Sequence, residues 1–116
     1  MLMRIKRFRN NGFTLVEIMI VVAIIALLAS IAIPNLVEAR RKAQRVACKA
    51  NLKAIDGAKA EWALTMRKGD ADVPADTDLF GLGKPIETKP LCPASGSYDL
   101  KAVSDKPTCT VPDHAL

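Results

Sequence analysis

Aromatic side chains are scarce in this chain: three Phe, one Tyr and one Trp among 116 residues. A groove for single-stranded nucleic acid interleaves aromatic platforms with its cations, and no such interleaving occurs here. There is one histidine, His114, without an evident serine partner, so no catalytic constellation stands out. Nucleotide-binding motifs, Cys-x-x-Cys, His-x3-His and the EF-hand pattern are all missing. Internal repeats and long low-complexity tracts are missing as well. These absences argue against an enzyme and against a chain that fuels its own movement.

What the sequence has is a concentration of apolar residues near its start. From Phe13 to Ile33 only Thr14, Glu17 and Ser30 interrupt them, and Ile18–Ile33 carries no charge. As a helix, those 21 residues would span roughly 31 Å, enough for a bilayer core. A short basic leader with Arg4, Lys6, Arg7 and Arg9 precedes them and ends at Gly12. Glu17 sits inside the apolar run, where an ionised carboxylate costs roughly 2.5–3.5 kcal/mol at a helix centre. A chain that carries such a group needs a partner for it.

Pro34 follows and favours a kink, because it removes one backbone hydrogen bond. The helical pattern then resumes: Leu36, Ala39, Ala43, Val46/Ala47, Ala50, Ala54, Ala58 and Trp62 recur at spacings of three or four. A weaker apolar line runs through Cys48, Leu52 and Ile55, and Arg41, Arg45, Lys49 and Lys53 mark the opposite side. Gly69, just after Arg67 and Lys68, is the expected stop. One helix from about Phe13 to Lys68 would be on the order of 84 Å long. A head of fewer than about 50 residues cannot bury such a rod, so much of its apolar face must meet lipid or other copies.

Charge follows the same division. Residues 35–68 carry nine basic residues against three acidic, and residues 69–116 carry four against eight. The chain reads as a basic stalk with a mildly acidic head, and its overall basicity does not by itself imply nucleic-acid binding. The head holds six of the seven prolines. Its expected strands are Ser97–Leu100 and Thr108–Val111, with a helical turn near Asp76–Phe80 capped by Asp76 or Thr77. The expected fold class is α+β: a long N-terminal helix, membrane-spanning and then amphipathic, with a small head of loops and short antiparallel strands. Its segments are a cleaved leader (1–12), a transmembrane and filament-core helix (13–34), an amphipathic helix (35–68) and the head (69–116).

An ordinary secretory signal peptide, cut after Ala32, is one reading of the leader. The long apolar stretch and the early Glu17 argue against it. The run Gly12-Phe13-Thr14-Leu15-Val16-Glu17 through Ile33-Pro34 closely resembles the N-terminus of type IV pilin-like proteins, which include pilus subunits and the pseudopilins of type II secretion. The resemblance covers about residues 4–55. It implies cleavage between Gly12 and Phe13 by a prepilin peptidase, N-methylation of Phe13, and a role for Glu17 in filament assembly, neutralising the terminal amine of a neighbouring subunit. Basic residues flank the segment on both sides, so charge bias does not orient it. The cytoplasmic N-terminus follows from the resemblance alone.

In the head, Cys92-Pro93-Ala94-Ser95-Gly96-Ser97-Tyr98 followed by Cys109 and His114 is similar to the endings of short pseudopilin-like proteins, with Ser95 where that pattern has a glycine. Three cysteines, Cys48, Cys92 and Cys109, leave an odd thiol. Three pairings are open. A Cys92–Cys109 disulfide is favoured because it closes a loop around the two strands in a head with little core, leaving Cys48 as a small apolar helix residue. The rival is a metal site of Cys92, Cys109 and His114, with Cys48 as an optional fourth ligand, whose ligand types suit zinc but whose spacing matches neither Cys-x-x-Cys nor His-x3-His. Calcium on Asp70, Asp72, Asp76 and Asp78 is a further alternative to a solvated loop. The expectation is no cofactor and no metal, with His114 a surface or terminal packing residue and Trp62 the anchor between helix and head.

The leading expectation is a structural subunit that polymerises with itself into a type II secretion pseudopilus. It would be stored in the inner membrane with its head in the periplasm, then move to a periplasmic or cell-surface filament. Its partners would be the membrane, the prepilin peptidase/methyltransferase, and the assembly platform and ATPase of the machine, with no nucleic acid. The alternatives are a type IV pilus or DNA-uptake pilin, and, from another class, a secreted binding module.

Overall fold

The structure is a computed structural model that describes Met3 and residues 11–116. The basic leader residues Arg4, Lys6, Arg7 and Arg9 lie outside the described residues. Four elements follow in order: α1 (Leu15–Met66), α2 (Asp76–Leu79), β1 (Tyr98–Asp99) and β2 (Thr108–Cys109). The chain divides into two compact units, Met1–Val37 and Glu38–Leu116, and α1 contributes to both.

In the first unit α1 starts at Leu15, two residues after the expected start, because Thr14 and Glu17 form a reciprocal cap. The Glu17 N–H donates to Thr14 Oγ1 at 3.2 Å, and the Thr14 N–H donates to Glu17 Oε2 at 3.3 Å. This is the Thr-x-x-Glu capping box, which satisfies two orphan donors of the first turn. The helix continues through Pro34, which lies inside it. Its apolar side chains lie open on all sides: Leu15 is 79% exposed, Leu27 67% and Ile31 74%. The helix is long and apolar enough to cross a membrane.

The second unit packs its loops and strands on α1. Ile55, Ala58 and Trp62 bury against Leu79 and Leu100, with Phe80, Ile86, Tyr98 and Val103 at the edge. Trp62 therefore does anchor the head. A neighbouring cluster joins Cys48 and Leu52 to Cys92, Cys109 and Val111. The line that meets the head is thus the weaker one, Cys48–Leu52–Ile55, reaching Ala58 and Trp62. The more regular line stays outside: Leu36, Ala39, Ala43, Val46, Ala47, Ala50 and Ala54 are all exposed. Spacing marks apolar faces but not which partner each one takes.

The helix ends at Met66, not at Gly69. Arg67 takes the left-handed conformation (φ 52°), and the Lys68 N–H donates back to Ala63 O at 2.8 Å. That 6→1 bond is the Schellman closure, with arginine where glycine is usual. The Gly69 N–H is engaged instead by Asp72 Oδ2 at 2.7 Å. α2 begins one residue after Ala75, which has no capping side chain; Asp78 reaches back to accept from the Ala75 N–H at 2.9 Å. β1 and β2 pair antiparallel with Tyr98 opposite Cys109 and Asp99 opposite Thr108. They are shorter than expected because only the Thr110 N–H to Ser97 O bond continues the ladder, at 3.0 Å.

Lys59 is fully buried on α1. Its Nζ donates to Leu100 O at 2.7 Å and to Asp105 O at 2.5 Å, tying the 100–105 loop to the helix. Burial holds its pKa below the usual lysine value, and the fields of Asp56, Asp105 and Asp99 oppose that shift. Lys59→Ala leaves both carbonyls without this donor and should destabilise the head by about 3 kcal/mol. Urea unfolding followed by Trp62 fluorescence will read this.

Candidate functional site

Two places carry the chemistry, one in each unit. The first is the start of α1. Gly12 and Phe13 lie in an exposed, non-helical segment just before the cap, and the Phe13 side chain is 87% exposed. A peptide bond outside the helix is open to a peptidase; one within it would first have to unwind. Four residues further on, Glu17 is also exposed and bonds only to the local cap described above. Its carboxylate lies on the positive end of its own helix, where backbone N–H groups point toward it. Thr14-x-x-Glu17 is legible in the sequence as a capping signature, which the expectation for Glu17 did not include. Ser30, the third polar residue of the run, donates its hydroxyl to Leu27 O at 2.7 Å.

The second place lies in the head. Cys48 from α1, Cys92 from the Cys-Pro turn, Cys109 from β2 and His114 from the C-terminal turn converge, their ligand atoms all within 4.8 Å of one another. Cys92 Sγ stands 3.7 Å from Cys109 Sγ and 3.6 Å from His114 Nδ1. All three sulfurs are free thiols. Burial pushes the Cys48 thiol up to about 12, with Cys109 and Cys92 adding to the rise and the Tyr98 hydroxyl opposing it. Burial raises Cys92 too, but the backbone groups of Ala94 and Gly96, then His114 and Cys48, outweigh it and bring it down to about 6. Burial likewise raises Tyr98 to about 12, and its hydroxyl accepts from Asn51 Nδ2 at 3.0 Å.

Local backbone geometry holds this convergence. Asn51 also donates to Leu91 O at 3.2 Å, fixing the approach to Cys92. The Ser95 N–H donates to Cys92 O at 3.0 Å, closing the Cys-Pro turn, and Ser95 takes the left-handed φ of 63° that the missing glycine would adopt more easily. A Cβ on Gly96 would stand 2.6 Å from Val111 Cγ2, 2.8 Å from Cys109 Sγ and 3.3 Å from Cys92 Sγ. His114 is buried, not a surface residue, and its N–H donates to Val111 O at 3.3 Å. Three of the four carboxylates expected as the calcium alternative have other bonds: Asp72 and Asp78 accept from turn N–H groups, and Asp76 pairs with Lys89 at 2.5 Å. Of the basic stripe, Arg45 turns to the head, 3.9 Å from Asp113.

Comparison with known proteins bears on the first place. Residues 7–33 match the family model described as the prokaryotic N-terminal methylation motif. The chain carries a prepilin-type N-terminus. The chain is 54% identical over 55 residues to the type IV major pilin protein PilA of Myxococcus xanthus, a match covering 46% of this chain and 25% of that protein. It is 37% identical over 93 residues to the type II secretion system core protein G of Vibrio cholerae, covering 80% of this chain and 59% of that protein. For the core protein G of Escherichia coli K12 the identity is 34% over 91 residues, covering 78% of this chain and 59% of that protein. The chain thus spans between a quarter and about three fifths of the length of these curated relatives. No solved structure matches it.

The tight approach at Gly96 makes a direct prediction. Gly96→Ala should force Cys109 and Val111 apart and destabilise the head by about 1–3 kcal/mol, the usual range for overpacking. Ser95→Gly should act in the opposite direction by on the order of 1 kcal/mol, since it relieves a left-handed backbone. Urea midpoints of the two variants measure both.

Proposed function

We propose that this chain is a structural subunit of a pilin-like filament, and specifically a pseudopilin of a type II secretion machine. The observation that carries the proposal is a match to the N-terminal methylation motif at the start of a membrane-length apolar segment whose one carboxylate, Glu17, has no partner beyond its own cap among the described residues; we place the cut between Gly12 and Phe13. Cleavage frees an amine at Phe13, and N-methylation keeps it basic. In the filament the carboxylate of one subunit meets the amine of the next. Pairing the two offsets both desolvation costs, and it fixes register because a misaligned subunit buries an unpaired charge. Pro34 gives the helix a point at which to bend as subunits pack.

Secretion is favoured over a pilus because the matches to core protein G reach 80% of the chain, into the head, whereas the pilin match covers 46%. The membrane holds the subunit before assembly, with the head on the periplasmic side. A peptidase/methyltransferase processes it, and an assembly platform with its ATPase supplies the energy. The role is structural, not enzymatic. Deletion should abolish secretion while leaving motility and DNA uptake intact; the converse pattern would assign the chain to a pilus.

Two measurements test the core of the reading. Intact mass and N-terminal sequencing of the mature chain should give a methylated Phe13 start, whereas an Ile33 start would mean an ordinary signal peptide. Glu17→Gln preserves a capping box, since glutamine also serves at that position, yet removes the charge. It should keep the helix and the membrane-stored pool but reduce filament yield by about tenfold or more, equivalent to losing at least ~1.4 kcal/mol per docking step. Normal filaments from Glu17→Gln would show that Glu17 acts only as a cap.

A further inference from the structure

We infer that Cys48, Cys92, Cys109 and His114 form a structural site for a divalent zinc-like metal that fastens the head to the helix. Four ligands in a tetrahedron around zinc, with Zn–S about 2.3 Å and Zn–N about 2.0–2.1 Å, stand roughly 3.5–3.8 Å apart. The Cys92–Cys109 and Cys92–His114 separations of 3.7 and 3.6 Å have that size, and all four ligand atoms fall within 4.8 Å of one another. A Cys92–Cys109 disulfide would account for two of these groups. It gives no reason for a third sulfur from α1 and an imidazole from the C-terminal turn to meet at the same point, with Cys48, Cys92 and His114 all buried.

The surroundings suit a thiolate site. The Cys92 sulfur has the backbone groups of Ala94 and Gly96 as hydrogen-bond partners, the outer-shell support that thiolate ligands receive in metal turns. Gly96 is the residue that the sulfurs require, because a Cβ there would stand 2.8 Å from Cys109 Sγ. Three thiolates and a neutral imidazole around a dication leave one net negative charge. Arg45, one turn before Cys48 and paired with Asp113 beside His114, supplies a nearby positive charge, and its buried Nε lacks a partner. Binding releases to solvent the thiol protons that the metal-free site still carries and involves no electron transfer. The metal links four separate segments of a head that has a small core, and a structural zinc serves that purpose in small domains. This site is independent of which filament the chain enters.

The test uses the full chain, purified in detergent without chelator, with metal content measured per chain and cobalt(II) titrated under reducing conditions. The expected result is one zinc per chain as isolated. Cobalt should bind with tetrahedral ligand-field bands and thiolate charge-transfer absorption, with release of thiol protons. Cys48→Ser and His114→Ala, each checked for retained helicity, should weaken cobalt binding by at least about tenfold and alter the spectrum. Failure of the reduced wild-type chain to bind cobalt overturns the proposal, whatever the variants do. So does a Cys92–Cys109 disulfide in protein taken directly from cells, or cobalt binding that is indifferent to both Cys48 and His114.

Discussion

From Leu15 to Ile33 the helix presents apolar side chains on every side, and among the described residues nothing covers them. Each Å² of that surface left in water carries a penalty of about 25 cal/mol, so the segment has to sit in lipid or against other helices. Lipid satisfies its apolar side chains at any rotation. A bundle of identical helices does not, because one carboxylate in the run makes most alignments costly. The helix therefore has two environments of similar apolar character that differ in how they treat Glu17. In the function proposed above, that difference would give directionality to a transfer from membrane to filament.

The same logic continues along the second half of α1 in a milder form. One line of the helix, Cys48–Leu52–Ile55 on to Trp62, is taken by the head. The other, through Ala39, Ala43, Val46 and Ala50, is made of small residues and stays open. Small side chains allow close approach of a second helix while leaving modest apolar area exposed on an unassembled subunit.

Much of this was legible in the sequence. The α+β class, the long helix to within two residues at each end, the pairing segments around Tyr98 and Cys109, and the role of Trp62 follow from periodicity, turn residues and the family resemblance. What escaped depended on tertiary contact. Periodicity ranked the alanine line above the Cys48 line, because it weighs regularity and not which face the head covers. Lys59 lies four residues after Ile55 and three before Trp62, on the buried side, yet its charge hid it as a core position; only the carbonyls of Leu100 and Asp105 make it one. Arg67 as the helix stop could not be preferred over Gly69, since glycine is the stronger local signal. The Cys/His cluster is only an alternative at the level of sequence, because its four ligands come from four segments whose spacing matches no local motif.

The head and the N-terminal segment thus rest on different chemistry, one on a buried polar and sulfur-rich junction, the other on exposed apolar surface that the proposed filament would cover with a second copy. A photo-crosslinking residue at Ile25, which is 59% exposed on the single chain, reports directly on what covers it. In cells with the assembly machine running, irradiation should give covalent ladders of this chain with itself; when the assembly ATPase is inactive, the ladders should vanish. Adducts that never contain a second copy, with assembly active, would contradict the account.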